Sequence, residues 1–458
     1  MKNNSQSVLH AYRSIPRLAF EHQRLTSFAG LVLFWQLFKN LQLLPRLEAC
    51  FAHLRSSSIF THGRIALLLI IHVLAGYRRL RDIRFYKHDP LIKRVLGLNM
   101  LPDISTVSRI LSTADERCVQ NIRRLCRELI SMRLRACHIS RITLDFDGSV
   151  ISTKRHAENS AIGYNKKHKG WRSYYPLFCT VAQTGQVFDL LHRPGNVHDS
   201  HDALAFIASC IDEIRSVLPG VIVEVRMDAA FFSKEIVSML FNRAIQFTIS
   251  VPFERLVELK HKIESRQRWT TCCPDTTFFE ETWKPKSWNR SYRFLFVRTK
   301  EIVQSKEPIQ LDLFIPEEFG FAHKVILTNK TTSPAQIIEF HNGRGSQENV
   351  FAELKTDANM AYIPFKRLIP NQTYLLSVVL AHNLSREFQM STSDKKRNTT
   401  FKRIQLWPFN HIGTIRRNII NRAGRLTQPG GVTTLTVSAD QNIEKLFTAY
   451  IDSLTKAA

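Results

Sequence analysis

Arg141-Ile142-Thr143-Leu144-Asp145-Phe146-Asp147-Gly148-Ser149-Val150-Ile151 decides how the chain is read. Apolar and polar residues alternate as in a strand, with acidic residues sharing one face. Working forward, residues 174–181 read as a second strand, and Thr184-Gly185 as the turn into a third over 186–191. A helix is expected from about 200 to 216. Residues 221–227 are apolar enough for a strand inside a sheet, and Asp228 ends it. A helix over 233–243 and a strand over 247–251 complete the run.

Three strands in a meander followed by helix, strand, helix, strand describe an α/β fold with a ribonuclease H-like mixed sheet. Upstream, residues 1–138 read as a helical region for DNA binding or dimerisation. Apolar residues recur at helical spacing at Leu31, Phe34, Leu37, Phe38 and Leu41, and again at Ile122, Leu125, Leu129 and Met132. Pro102-Asp103-Ile104-Ser105-Thr106 is a helix start. The helix it opens carries Ser105, Thr106 and Arg109 on its first turns, where a helix-turn-helix presents base-reading side chains. Residues 139–251 read as the first part of the ribonuclease H-like domain. Residues 252–330 break the rhythm and read as a β-rich insertion, 331–390 as the second part of that domain, and 391–458 as a polar linker leading into a basic C-terminal tail.

The chain has 458 residues, 44% hydrophobic and 22% charged, which is ordinary for globular domains. Its formal net charge of +25 is not ordinary and points to a polyanionic partner. Residues 1–140 hold 22 Lys and Arg against 8 Asp and Glu, and residues 391–458 hold 11 against 4, so the basic charge flanks a more balanced centre. The 8 cysteines include no Cys-x-x-Cys pair, which argues against a structural zinc site and against a disulfide framework. The N-terminus lacks the apolar core of a signal peptide, and the apolar run over 65–77 is too short to span a bilayer. A buried helix and a cytoplasmic protein are expected, with no membrane partner.

A second informative stretch is His341-Asn342-Gly343-Arg344-Gly345-Ser346-Gln347-Glu348, continued to Lys355. It reads as a Gly-rich turn, with two glycines free to take positive φ, leading into an amphipathic helix. Arg344, Glu348 and Lys355 recur at spacings of four and seven and share a helical face. A carboxylate between two cations suits an anionic ligand that carries a metal, and a phosphodiester with bound magnesium is one. Asp147, Asp228 and Glu348 together would offer the hard oxygen ligands that bind such a metal.

On these residues the chain resembles a DDE transposase of a bacterial insertion sequence, in the branch marked by a Tyr-Arg-Glu-Lys signature. Arg344, Glu348 and Lys355 match that signature's spacing, and His341 occupies its Tyr position. Asp147-Gly148-Ser149 is similar to the family's first Asp motif, Arg226-Met227-Asp228-Ala229-Ala230-Phe231 to its second, and Gly195-Asn196-Val197-His198-Asp199-Ser200 to its Gly-Asn-x-His-Asp motif. The resemblance implies that Asp147, Asp228 and Glu348 are the catalytic residues and bind two Mg2+ or Mn2+ ions. It implies that Arg344 and Lys355 hold the phosphates of double-stranded transposon-end DNA. Synapsis of two ends implies a homodimer or larger complex, and the bacterial setting implies association with the nucleoid. Asp145 competes with Asp147 for the first position, and Glu353 with Glu348 for the third. The alternatives to a transposase are a transposase-derived DNA-binding protein without catalysis and a ribonuclease H-like nuclease that cuts without joining.

Other expected DNA contacts are Lys166, Lys167 and Lys169, in a compact basic run with Trp171. His341, if it touches phosphate, makes activity fall as pH rises through the imidazole pKa. Trp283 and Trp288 either stack on a flipped base or pack in the core.

Overall fold

A computed structural model describes residues 15–16, 18–21, 23–55, 57–163, 165–197, 202–300, 320–397, 400–438 and 440–456. In chain order its first elements are β1 (Leu25–Thr26), α1 (Leu31–Asn40), α2 (Leu43–Cys50), α3 (His62–Ala75), α4 (Pro90–Val95), α5 (Ile104–Leu111) and α6 (Glu116–Ala136). The apolar run forms α3, which is buried along almost its whole length and therefore needs no polar face. Thr61 caps its start by accepting the Arg64 N–H, and Gly76 ends it at a φ of 94°, a conformation suited to glycine. No described helix is long and apolar enough to cross a membrane.

The sheet region follows: β2 (Arg141–Gly148), β3 (Ile151–Thr153), β4 (Ala161–Ile162), β5 (Arg172–Tyr174), β6 (Leu177–Val181), β7 (Gln186–Leu191), α7 (Ala203–Val217), β8 (Ile222–Met227), α8 (Lys234–Asn242) and β9 (Gln246–Val251). Then come α9 (Val257–Glu264), β10 (Thr270–Cys273), β11 (Thr276–Trp283), β12 (Tyr292–Lys300) and β13 (Phe321–Thr328). One mixed sheet runs β10-β11-β12-β13-β9-β8-β2-β6-β7. β2 pairs in parallel with β8, and β8 with β9, while β6 and β7 join antiparallel on the other side. The segment read as a β-rich insertion extends this sheet, since β13 pairs with β9 from Val325↔Val251 to Thr328↔Thr248.

The remaining elements are α10 (Pro334–Asn342), α11 (Gly345–Thr356), α12 (Leu368–Thr392), α13 (Ile412–Ile415), β14 (Gly424–Thr427), β15 (Thr434–Val437) and α14 (Gln441–Lys456). Helix α12 shares one apolar core with the N-terminal helices and with Ile412, Ile415, Ile419, Ile420 and Leu426. A second core lies against the sheet around Leu144, Phe146, Val225, Phe247 and α7. The two are tied by polar contacts. Asp189 of β7 accepts bonds from Arg123 at 2.8 Å and from Arg127 at 3.1 Å, both on α6. Asn383 of α12 accepts the Val187 N–H and donates to the Val187 carbonyl, at 2.9 and 2.8 Å.

The segment read as a linker and basic tail forms named elements. β14 and β15 make a small sheet with β1, and the Arg403 guanidinium reaches buried Glu224 on β8 at 2.7 Å. Composition misleads there because a polar segment can still be ordered by the buried charge it neutralises. The glycines at 343 and 345 correct a second expectation, since neither takes positive φ. Gly343 sits at φ −60° between α10 and α11, where a Cβ would collide with the Lys402 carbonyl and the Arg226 guanidinium. Close approach, not turn geometry, calls for glycine there.

Candidate active site

Parallel pairing of β2 with β8 sets opposite residues side by side: Thr143 with Glu224, Asp145 with Arg226, Phe146 with Met227. One step further, the strand ends bring Asp147 and Asp228 to the same edge. Residues two apart share a face, so a row of polar groups crosses the sheet beneath that edge. Glu224, fully buried, accepts bonds from Thr143, Lys330 and Arg403. Burial opposes its charge, but Arg403 and Lys330 outweigh it and hold the carboxyl at about 2. Arg226 grips Asp145 through two parallel bonds of 2.6 and 2.7 Å and donates to the carbonyls of Phe340 and Lys402. Asp145 is therefore engaged inside the protein, and Asp147 is the aspartate of β2 at the edge.

Asp147 is half-buried. Its Oδ1 accepts the Gly148 N–H at 2.8 Å and its Oδ2 lies 3.2 Å from Arg344 Nη1. Asp228 caps the short helical turn Ala229–Phe231, accepting the Ala230 N–H at 3.0 Å. Glu348 projects from the first turn of α11, its side chain 68% exposed, with Oε1 3.9 Å from Arg344 Nη2. Helix α11 is held over β2 by Gln347, which donates to the Asp145 carbonyl at 3.0 Å, and by Phe351, whose ring lies 5.2 Å from that of Phe178. Glu353 faces the other way. It is buried, pairs with Arg386 of α12 and accepts the Ile412 N–H.

A cleft of about 1160 Å³ opens beside this edge, lined among others by Ser149, Lys166, Lys167, Trp171, Glu348 and Lys355. Lys355 lies close enough to Lys167 and Asp147 to feel both charges; burial lowers its pKa, Lys167 adds to the fall, and Asp147 opposes it. Trp171 stacks on His168 at 4.1 Å, and Lys154 lies 4.7 Å over its ring. Lys169 is exposed on the same loop but does not line the cleft, and Arg109 is exposed on α5. Arg255 lines the cleft, and Lys324 of β13 feels both Arg344 and Glu348. No sequence signal singled out either residue, because each is one cation among many.

His341 requires a correction. It is buried, with Nε2 2.9 Å from Ser250 Oγ and Nδ1 3.0 Å from Thr248 Oγ1, both on β9. Burial pushes its pKa well below the ordinary imidazole value, and Lys324, Arg344 and Arg226 push it further. With both ring nitrogens engaged, it fastens α10 to β9 from inside the protein. Trp288 is buried and stacks on Phe232 at 5.0 Å, and Trp283 donates to Glu258 at 3.0 Å, so Trp288 packs in the core. His198, Asp199 and Ser200 of the Gly-Asn-x-His-Asp motif lie outside the described residues.

Acidic side chains thus stand at the edge of a mixed sheet, beside a cleft lined by lysines. A family model described as "Transposase DDE domain group 1" matches residues 9–458, and the chain belongs to that family. It is a DNA transposase, and DDE transposases use divalent metal ions. No curated protein matches the chain. Among solved structures it is similar to the piggyBac transposase synaptic complex with hairpin DNA, at 11% identity and TM-score 0.38 over 85% of each chain. It is also similar to the Mos1 transposase paired-end complex with left transposon end, at 10% identity and TM-score 0.17 over 43% of this chain and 60% of that one.

The donors at the edge suit a hard divalent cation, because Asp147, Asp228 and Glu348 offer carboxylate oxygens only. They do not form a tight cluster. The one described set of three His, Cys, Asp or Glu ligand atoms within 4.8 Å of one another lies elsewhere. The Arg344 guanidinium stands between two of these carboxylates.

Proposed function

We propose that this transposase cuts the phosphodiester at the ends of a bacterial insertion sequence and joins the freed 3′-hydroxyl to target DNA, with Asp147, Asp228 and Glu348 as metal ligands. The observation that carries the reading is the register of β2 and β8, which ends one aspartate beside the other at a sheet edge overlooked by Glu348. Two Mg2+ or Mn2+ ions bound there would activate water and stabilise the attacking and leaving oxygens. The Gly148 and Ala230 N–H groups orient Asp147 and Asp228, and Gln347 fixes the height of Glu348 over the sheet. Lys167 and Lys355 draw the DNA backbone into the cleft, with Lys166 beside them.

The strand order β7-β6-β2-β8-β9, with β2, β8 and β9 parallel, supports a ribonuclease H-like reading of the sheet. Exposed Ser105 and Arg109 on α5 support end recognition by the N-terminal helices. Two element ends held together call for at least a homodimer, and a bacterial protein of this kind acts at the nucleoid in the cytoplasm. The test is incubation of the purified protein with element-end DNA, a target plasmid and Mg2+. Nicked ends and joined products are expected. Nicks without joined products would reduce the protein to a nuclease, and end binding without nicks to a DNA-binding relic.

A further inference from the structure

The set of ligand atoms that does cluster lies in the N-terminal helices. Among the described residues, His53, Asp115 and Cys118 are the one group of three whose ligand atoms all lie within 4.8 Å of one another. His53 follows α2. Asp115 caps α6 by accepting the Cys118 N–H at 3.0 Å, and Cys118 lies one turn inside that helix. His53 Nε2 stands 3.0 Å from each Asp115 oxygen and 3.7 Å from Cys118 Sγ.

These separations have a simple meaning. A tetrahedral ion with bonds of about 2.0 Å to N and O and about 2.3 Å to S holds its ligand atoms roughly 3.3–3.6 Å apart. The His53–Asp115 and His53–Cys118 separations therefore already come close to two edges of a tetrahedral face, and the third is within 4.8 Å. The His–Asp contact alone is a weak reason for the arrangement, since the two side chains keep 18% and 48% exposure and such pairs contribute little. Nor does an ion pair call for a sulfur. Cys50, on α2, gives its thiol proton to the Arg46 carbonyl one turn back, whereas the sulfur of fully buried Cys118 faces both the Asp115 carboxylate, to which its thiol donates, and the imidazole.

We propose that His53, Asp115 and Cys118 bind a zinc ion, with the fourth position open to water. Imidazole, thiolate and carboxylate together suit zinc better than the hard ions of the sheet edge. Binding converts the Cys118 thiol to a thiolate and releases its proton to solvent. Cysteine spacing argued against zinc because the ligands come from two segments, with His53 separated by 62 positions from Asp115. The ion would clamp the end of α2 to the start of α6 and so close the segment that carries α3, α4 and α5.

The test uses the full chain, purified without chelators, with metal content by plasma mass spectrometry and optical spectra after cobalt(II) substitution. One zinc per chain is expected, and a thiolate-to-cobalt charge-transfer band with intense tetrahedral d–d bands. Cys118→Ser should abolish the charge-transfer band, and His53→Gln, at a partly exposed position, should weaken cobalt binding about tenfold or more. Asp147→Asn should leave the thiolate charge-transfer band in place, which separates this site from the carboxylates of the sheet edge. Wild-type protein without stoichiometric zinc would overturn the proposal. So would a charge-transfer band that survives Cys118→Ser, since exposed Cys273 would then be its source.

Discussion

Arg344 reaches two carboxylates at once, with Nη1 3.2 Å from Asp147 Oδ2 and Nη2 3.9 Å from Glu348 Oε1. The guanidinium links an acidic residue on a central strand to one on a helix that crosses it. The same oxygens are the ones proposed to hold metal, so cation and guanidinium compete for them.

That competition has a sign. Arg344→Ala should tighten Mn2+ binding to the DNA-free protein, by about three- to fivefold if the half-exposed pair is worth up to about 1 kcal/mol. It should also slow end cleavage, because a cation beside the DNA is lost. Titration followed by electron paramagnetic resonance measures the first effect. Weaker Mn2+ binding in the variant would show that Arg344 organises the carboxylates instead of competing for them.

The buried imidazoles predict how stability responds to mild acid. Burial pushes both His72 and His382 down to about 4. Their unfolded values are near 6.5, so below pH 6.5 the unfolded chain takes up protons that the folded chain refuses. Stability should fall between pH 6.5 and about 4, approaching ~3 kcal/mol for each group at the lower limit. Denaturant midpoints across this range check it, and His382→Gln should flatten the slope. His341 contributes in the same direction. Because it stays neutral, cleavage rates at fixed metal should show no loss as pH rises through 6–7.

Glu224 acts in a lower window with its own sign. Its folded carboxyl is held at about 2, below the ordinary carboxylate value, so its contribution is complete above about pH 4.5 and is lost as pH falls toward 2. Glu224→Gln leaves Lys330 and Arg403 beside a neutral amide and should cost about 3–5 kcal/mol at pH 7. Chemical denaturation of the variant measures it, and a loss under 1 kcal/mol would mean that water reaches these cations.

The cleft lysines predict salt dependence. Lys167→Ala should lower the slope of log binding constant against log salt by about 0.9 if it neutralises one phosphate. Lys169→Ala, outside the cleft lining, should change it less. Equal slopes for both variants would place the DNA elsewhere.

Much of the sheet was legible because β2, β8 and β9 carry patterns that only burial explains. Helix α3 was legible for the same reason. Pairing partners were not. Alternation puts Asp145 and Asp147 on one face but does not reveal that Arg226, an apparent charge in an apolar strand, turns inward to hold Asp145. His341 looked like a phosphate ligand because spacing aligns it with Arg344, whereas β9 supplies two hydroxyls that fix it in the interior. The segment around Arg403 reads as part of a basic tail, because its order comes from Glu224, far away in the chain. Side chains that meet only through tertiary structure, such as His53 and Cys118, leave no periodic trace.

The central claim is that Asp147, Asp228 and Glu348 touch the catalytic metal, and a change of metal preference tests it most directly. Asp147→Cys, Asp228→Cys and Glu348→Cys should each be inactive in element-end cleavage with Mg2+ and regain part of their activity with Mn2+, which accepts a sulfur ligand more readily. Asp145→Cys should not be rescued, because that carboxylate holds Arg226 and not metal. Cysteine variants that cleave normally in Mg2+, or that stay equally dead with both ions while folded, would contradict the account.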